Sequence, residues 1–190
     1  GGVILTLLLL ALVSGSVWGQ ETYQRVTSVS ELEAEKSFLI VNVDDQGRCI
    51  ALSNEQKKNN RGAVAVILAN DKITLEQNSM ACQLVLKGSS SVGWSFYDEV
   101  NGGYLYAASS SGNYLKTQST LDDDGRADIR FEANIATITF KGTNKRNVMQ
   151  YNPNNGSPLF ACYGSESQKP LQLFKKVESI GNQVAAPVFA

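Results

Sequence analysis

The side chains of this 190-residue chain that could carry acid–base or nucleophilic chemistry are few. It has no histidine, which removes imidazole bases, His-centred triads and most zinc sites. Its three cysteines, Cys49, Cys82 and Cys162, lack the C-x-x-C spacing of a thiolate metal site or redox pair. Carboxylates remain: Asp98 beside Glu99, and the run Asp122 to Asp124 ahead of Gly125. Neighbours on a strand point to opposite faces, so Asp98 and Glu99 do not converge on one atom, and an Asp-Asp-Asp-Gly run has the composition of a solvated turn. A calcium loop built on that run, or on Asn42, Asp44 and Gln46 ahead of Gly47, lacks the full alternating ligand spacing and the distal glutamate. No glycine-rich segment opens a helix, so no phosphate cradle is expected. The expectation is a protein with no catalytic activity, no metal and no cofactor.

Recognition chemistry is better represented. Tyr97, Tyr104, Tyr106 and Tyr114 crowd the middle of the chain, and with Asn113, Lys116, Tyr151 and Asn152 they offer flat aromatic faces beside amide and ammonium donors. Sugars bind through that combination, the ring stacking on apolar sugar faces while amides take the hydroxyls. Tyr106, Asn113, Tyr114, Tyr151 and Asn152 are therefore the candidate ligand-binding residues, with glycan as the candidate partner. The competing use of alternating tyrosines is as core and cross-strand pairs. Ricin-type trefoils carry a Gln-x-Trp in each repeat, and here only Gln83-x-Val85 and Gln172-x-Phe174 approach it, which counts against a pocket of that type. Nucleic acid is not expected as a partner: 17 Lys and Arg stand against 18 Asp and Glu, and the basic residues are scattered along the chain.

The elements that must position these groups are legible as a repeat. Phe38–Ser53, Trp94–Ser109 and Thr137–Asn152 overlay without a gap, each an apolar run, a polar turn and a second apolar run. Each is followed by two more short apolar runs, so a four-strand unit occurs three times. The excess length of the first unit falls near Ala69 to Asn78, which reads as an extra hairpin. Gly47 and Gly102 stand where tight turns demand positive φ. Three such units remove their free edges by closing on one another, with Leu171–Lys175 pairing with Phe38–Val43. The fold class expected is all-β, a closed barrel with threefold internal repeat, most simply a β-trefoil; the alternative is a less symmetric closed barrel, because Ile138 and Phe140 lie one position out of phase with Trp94 and Phe96.

Residues 1–19 read as a signal peptide: an apolar stretch from Val3 to Val13, then small residues, with Val17 and Gly19 placed for cleavage. That predicts a secreted or cell-surface protein without a stable membrane span after cleavage. Residues 20–36 are a lead-in with one helical turn near Ser30 to Glu35, 37–177 form the module, and 178–190 are a linker into a downstream domain. The sequence is expected to be a fragment. The three cysteines sit in apolar runs and are expected to be buried thiols rather than bridged.

The segments Arg61 to Val66 (RGAVAV), Tyr104 to Thr117 (YLYAASSSGNYLKT), Arg146 to Asn155 with Leu159 to Tyr163, and the closing LQLFKK resemble a non-catalytic all-β accessory module of large secreted bacterial multidomain proteins. The closing VAAPVFA resembles the opening of the sandwich repeat found at the C-terminus of chitobiases. The resemblance implies a secreted accessory binding module, beside carbohydrate-active, nuclease or lamin-tail domains of the same polypeptide. The alternatives it leaves are a structural spacer making protein contacts and a DNA-contacting accessory to a nuclease.

Overall fold

The structure is a computed structural model, and it describes residues 20–154 and 156–178. The segment read as a signal peptide and residues 179–190, within the stretch read as a linker, lie outside the described residues. Twelve strands fall into three units of four. The first unit is β2 (Ser37–Val43), β3 (Cys49–Gln56), β4 (Arg61–Ala69) and β6 (Leu84–Ser89). The second is β7 (Gly93–Asp98), β8 (Gly103–Tyr106), β9 (Lys116–Gln118) and β10 (Ala127–Glu132). The third is β11 (Ile135–Phe140), β12 (Val148–Asn152), β13 (Leu159–Tyr163) and β14 (Gln172–Lys176). Two further strands, β1 (Glu21–Val26) and β5 (Lys72–Leu75), are additions to this plan.

The first and fourth strands of each unit close a ring. β2 pairs with β6 and β6 hairpins to β7; Ala127 on β10 lies opposite Trp94 on β7, and β10 hairpins to β11. Ala136 on β11 bridges Leu171 at the head of β14, which returns to β2 with Leu173 opposite Ile40. This is the closure expected from the sequence, and the all-β class with threefold β-trefoil organisation holds. The remaining strands form three hairpins, β3 with β4, β8 with β9 and β12 with β13, at one end of the ring.

The ring encloses Phe38, Ile40, Leu84, Leu86, Phe96, Ile138, Phe140 and Leu173, each at most 1 % exposed. Each such side chain contributes about 1.5–3 kcal/mol by leaving water. Ile138 and Phe140 reach this core although they stand one position later in their repeat than Trp94 and Phe96. The third unit therefore runs one residue out of step, and its inward face is preserved.

The two extra strands make a second closed circuit, sharing β14 and β2 with the first. β1 pairs with β14 and with β5, β5 with β4, β4 with β3 and β3 with β2. It encloses its own core of Tyr23, Leu39, Val41, Ala51, Ile73 and Phe174. Strands common to both circuits bury both faces, which is why Phe38 to Val41 is continuously apolar rather than alternating. The extra hairpin is present as β4 and β5, turned through Asn70 and Asp71, both at positive φ. The lead-in is not peripheral: Glu21–Val26 is a strand of this second circuit, and Tyr23 is fully buried.

The helical turn is a single 3-10 turn at Val29–Glu31, capped by the Ser28 side chain, with Glu31 accepting from the Thr27 N–H. The cap thus falls at Ser28, two residues before the serine singled out in the sequence, and without the reciprocal bonds of a capping box. Gly47 and Gly102 have φ of 78° and 73°, as their turns require. All three cysteines are buried and unbridged. Burial pushes the thiols of Cys49 and Cys82 up to about 12, and that of Cys162 up as well.

Candidate functional site

In each unit the turn between the first and second strands leans on the preceding unit of the ring. One backbone bond inside each unit marks the stretch on which the following turn rests: the N–H of Asn54 donates to the Met80 carbonyl (2.8 Å), that of Ala107 to the Asp124 carbonyl (3.0 Å), and that of Tyr151 to the Lys169 carbonyl (3.2 Å). Two joints are then shut by an asparagine reaching across from the turn. Asn101 Nδ2 donates to the Asn54 carbonyl at 2.9 Å, and Asn144 Nδ2 donates to the Ala107 carbonyl at 2.7 Å. In the ungapped triple overlay Asn101 and Asn144 occupy one position, and the first repeat has Asp45 there. An ionised carboxylate has no hydrogen to donate to a carbonyl.

The third joint is accordingly open. The Tyr151 carbonyl is taken by the Lys169 N–H at 2.9 Å instead of by a turn side chain. The turn of the first unit folds in on itself: Asp44 Oδ1 accepts from the N–H groups of Gln46 and Arg48, each at 2.9 Å, and Arg48 Nε donates to Asp44 Oδ2 at 2.6 Å. Slight burial works to raise the Asp44 pKa, but those hydrogen bonds and the guanidinium charge outweigh it and hold the carboxyl below its usual range. Between this turn and the third unit lies a groove of about 600 Å³, walled by Ile50, Pro153 and Pro170 and edged by Asp45, Arg48 and Lys169. Asn42 pins the far side, donating to the Pro170 carbonyl at 2.8 Å.

Tyr151 lines the groove, its ring tilted against Phe160 at 5.2 Å between centroids and only 7 % exposed. Its hydroxyl has no protein partner among the described residues. Burial raises its pKa, the Arg48 charge offsets part of that rise, and Asp44 adds to it. Asp45 is exposed, and among the described residues its carboxylate likewise has no protein partner.

The five residues singled out from the sequence are divided by the fold. Tyr151 lies at the groove. Asn152 is spent on structure, donating to the Tyr163 hydroxyl at 3.0 Å and accepting from the Asn154 N–H at 2.8 Å. Tyr106, Asn113 and Tyr114 belong to the second unit, away from it. Tyr106 is half-buried opposite Lys116. Asn113 accepts from Arg146 at 3.3 Å, and the ring of Tyr114 covers Gly112 so closely that a Cβ there would lie 2.5 Å from it. Tyr97 and Tyr104 form a cross-strand edge-to-face pair at 5.0 Å, the ordinary structural use of such residues.

The carboxylates also find structural employment. Asp98 is fully buried and meets Arg61, itself fully buried, at 2.7 Å, while accepting from the N–H groups of Val100 and Asn101. That ion pair lies at the first joint, tying β4 of the first unit to β7 of the second. Asp122 accepts from the Asp124 N–H and Asp123 pairs with Arg126, as in a solvated turn.

Asp45, Arg48 and Lys169 were not among the candidates. The one signal for them in the sequence is the position at which the first repeat has aspartate where its two siblings have asparagine.

No family model matches the chain, and no curated protein does. Solved structures do. A crystal structure titled as the β-trefoil BEL matches with a TM-score of 0.51 at 16% identity, over 79% of this chain and 99% of that one. A lysenin pore structure matches with a TM-score of 0.50 at 10% identity, over 80% of this chain and 50% of that one. The chain thus spans half the length of the lysenin chain it resembles. At these identities the likeness establishes the fold, an all-β trefoil.

Proposed function

We propose that this chain is a non-catalytic glycan-binding module of an exported protein, taking its sugar in the groove between the first and third units. The observation that carries the reading is the asymmetry of the three joints. Two are sealed by Asn101 and Asn144, and the third leaves the Asp45 carboxylate and the Tyr151 hydroxyl without a protein partner among the described residues, beside a proline-walled cleft. A carboxylate with both oxygens free accepts from two neighbouring sugar hydroxyls, and charge-assisted bonds of that kind are the stronger class. Pro153, Pro170 and Ile50 offer apolar surface to the C–H face of a pyranose. Asp44 and Asp45 balance Arg48 and Lys169, so the groove suits a neutral sugar.

The test is a glycan array probed with the whole chain. Wild-type protein is expected to mark a set of neutral glycans, Asp45→Ala to lose that signal at least tenfold, and Asn101→Ala to keep it. A flat array, or a signal indifferent to Asp45→Ala, refutes the reading.

A further inference from the structure

The cations of this protein are sorted by place. Of the seventeen Lys and Arg side chains, all within the described residues, nine are in ion pairs, which leaves eight without one. Three of the eight are dispersed: Lys72 on the extra hairpin, Lys141 at the end of β11 and Lys169 at the groove. The other five, Lys57, Lys58, Lys116, Lys145 and Arg146, fall in three loop segments, 56–60, 107–116 and 144–146, that contain no Asp or Glu.

Those segments are bonded to one another. Asn60 Nδ2 donates to the Asn113 carbonyl at 3.4 Å, the Leu115 N–H to the Asn59 carbonyl at 2.8 Å, and Gln56 Nε2 to the Leu115 carbonyl at 3.4 Å. Arg146 Nη1 donates to Asn113 Oδ1 at 3.3 Å, and the Lys145 N–H to Ser110 Oγ at 3.2 Å. Five cations are thereby held on linked loop segments that contribute no carboxylate, with Glu55 and Asp124 adjoining them. Gathering like charges costs folding energy through self-repulsion, and an anion arriving from outside relieves it.

We infer that this loop cluster is a second binding site, separate from the groove, for an anionic polysaccharide carrying sulfate or carboxylate groups. The amide and hydroxyl groups interleaved with the cations, on Asn59 and Ser111, suit a hydroxyl-bearing chain. Stacking of unpaired bases needs an accessible aromatic face, and the ring of Tyr114 in this cluster is packed over Gly112.

The probe is fluorescein-labelled heparin, with binding followed by anisotropy across a sodium chloride series. Lys58→Ala, Lys116→Ala and Lys145→Ala are combined in one variant, since these three side chains make no hydrogen bonds among the described residues. Counter-ion release contributes on the order of 0.7 to the log–log salt slope per cation for a flexible polyanion, so the variant is expected to lose about 2 from the slope and at least tenfold in affinity at about 50 mM salt. A control lacking Lys36, Lys72 and Lys87, the same change in charge elsewhere, is expected to bind within about twofold of wild type, as is Tyr151→Phe. The inference is overturned if wild type does not bind heparin, if the control loses as much as the loop variant, or if duplex DNA of equal charge binds more tightly. Failure of the neutral-glycan array leaves these readouts unchanged, so the two sites stand or fall separately.

Discussion

Replacing Asp98 by alanine tests whether the first joint, between the first and second units, is held shut from within. Arg61 and Asp98 are both fully buried and 2.7 Å apart. Without the carboxylate the guanidinium keeps the Ser53 carbonyl at 2.7 Å and Thr117 Oγ1 at 3.3 Å, but no counter-charge. Leaving one partner of a buried pair uncompensated costs about 3–5 kcal/mol, a large share of the about 5–15 kcal/mol that stabilises a typical domain. At roughly 2–4 °C per kcal/mol for a domain of this size, the midpoint of thermal unfolding falls by roughly 6–20 °C. Urea melts followed by circular dichroism measure the loss directly. The double variant Arg61→Met with Asp98→Asn removes both charges and keeps an acceptor for the turn, so it is expected to recover most of the loss. The pH dependence has a definite sign. Burial works to raise the Asp98 pKa, but hydrogen bonds from Asn101 and the charge of Arg61 outweigh it and the net shift is downward. A carboxyl whose folded pKa lies below its unfolded value stabilises fully above the unfolded value, about 3.9, and loses that contribution as pH falls through the folded one. Wild type should therefore lose stability below about pH 4 more steeply than the double variant. A loss under about 1 kcal/mol in Asp98→Ala would refute the reasoning.

Three further outcomes are expected. Gly88 sits at φ 91° with the Gly93 carbonyl oxygen 2.2 Å from where a Cβ would lie, so Gly88→Ala should cost at least about 1–3 kcal/mol in urea melts, and a neutral result would mean the hairpin can reopen freely. Ile73 is fully buried in the second circuit, so Ile73→Ala should cost about 2–5 kcal/mol; a cost below about 0.5 kcal/mol would show that circuit to be dispensable. The three buried thiols should resist iodoacetamide at pH 8 in the native protein and all react in urea, and rapid native labelling of any one would contradict its burial.

What the sequence disclosed follows from which interactions are local. The threefold plan was legible because each unit repeats the same apolar runs and turns, and the closing pair of Leu171–Lys175 with Phe38–Val43 follows from the need to remove free edges. The second circuit was half visible: the extra hairpin showed itself as surplus length, but the role of Glu21–Val26 did not, because Tyr23 and Val26 alone give no period and their partners are fifty residues or more away in sequence. At the candidate site, aromatic and amide types pointed to Tyr151, which lines the groove, and to Asn152, whose amide is already committed to Tyr163 and Asn154. Type alone cannot tell a free tyrosine hydroxyl from one in a cross-strand pair such as Tyr97 with Tyr104. Asp45 was discoverable only by reading the repeats against each other for the position that breaks their symmetry.

The most direct test of the central claim is a two-dimensional amide NMR titration of the protein with a panel of neutral mono- and disaccharides. The account predicts saturable shifts confined to Asp45, Gln46, Arg48, Tyr151 and Lys169, abolished by Asp45→Ala, with the amides of Asn101 and Asn144 unmoved. Shifts centred on Asn101 or Asn144, or none in the groove at saturating sugar, would contradict it.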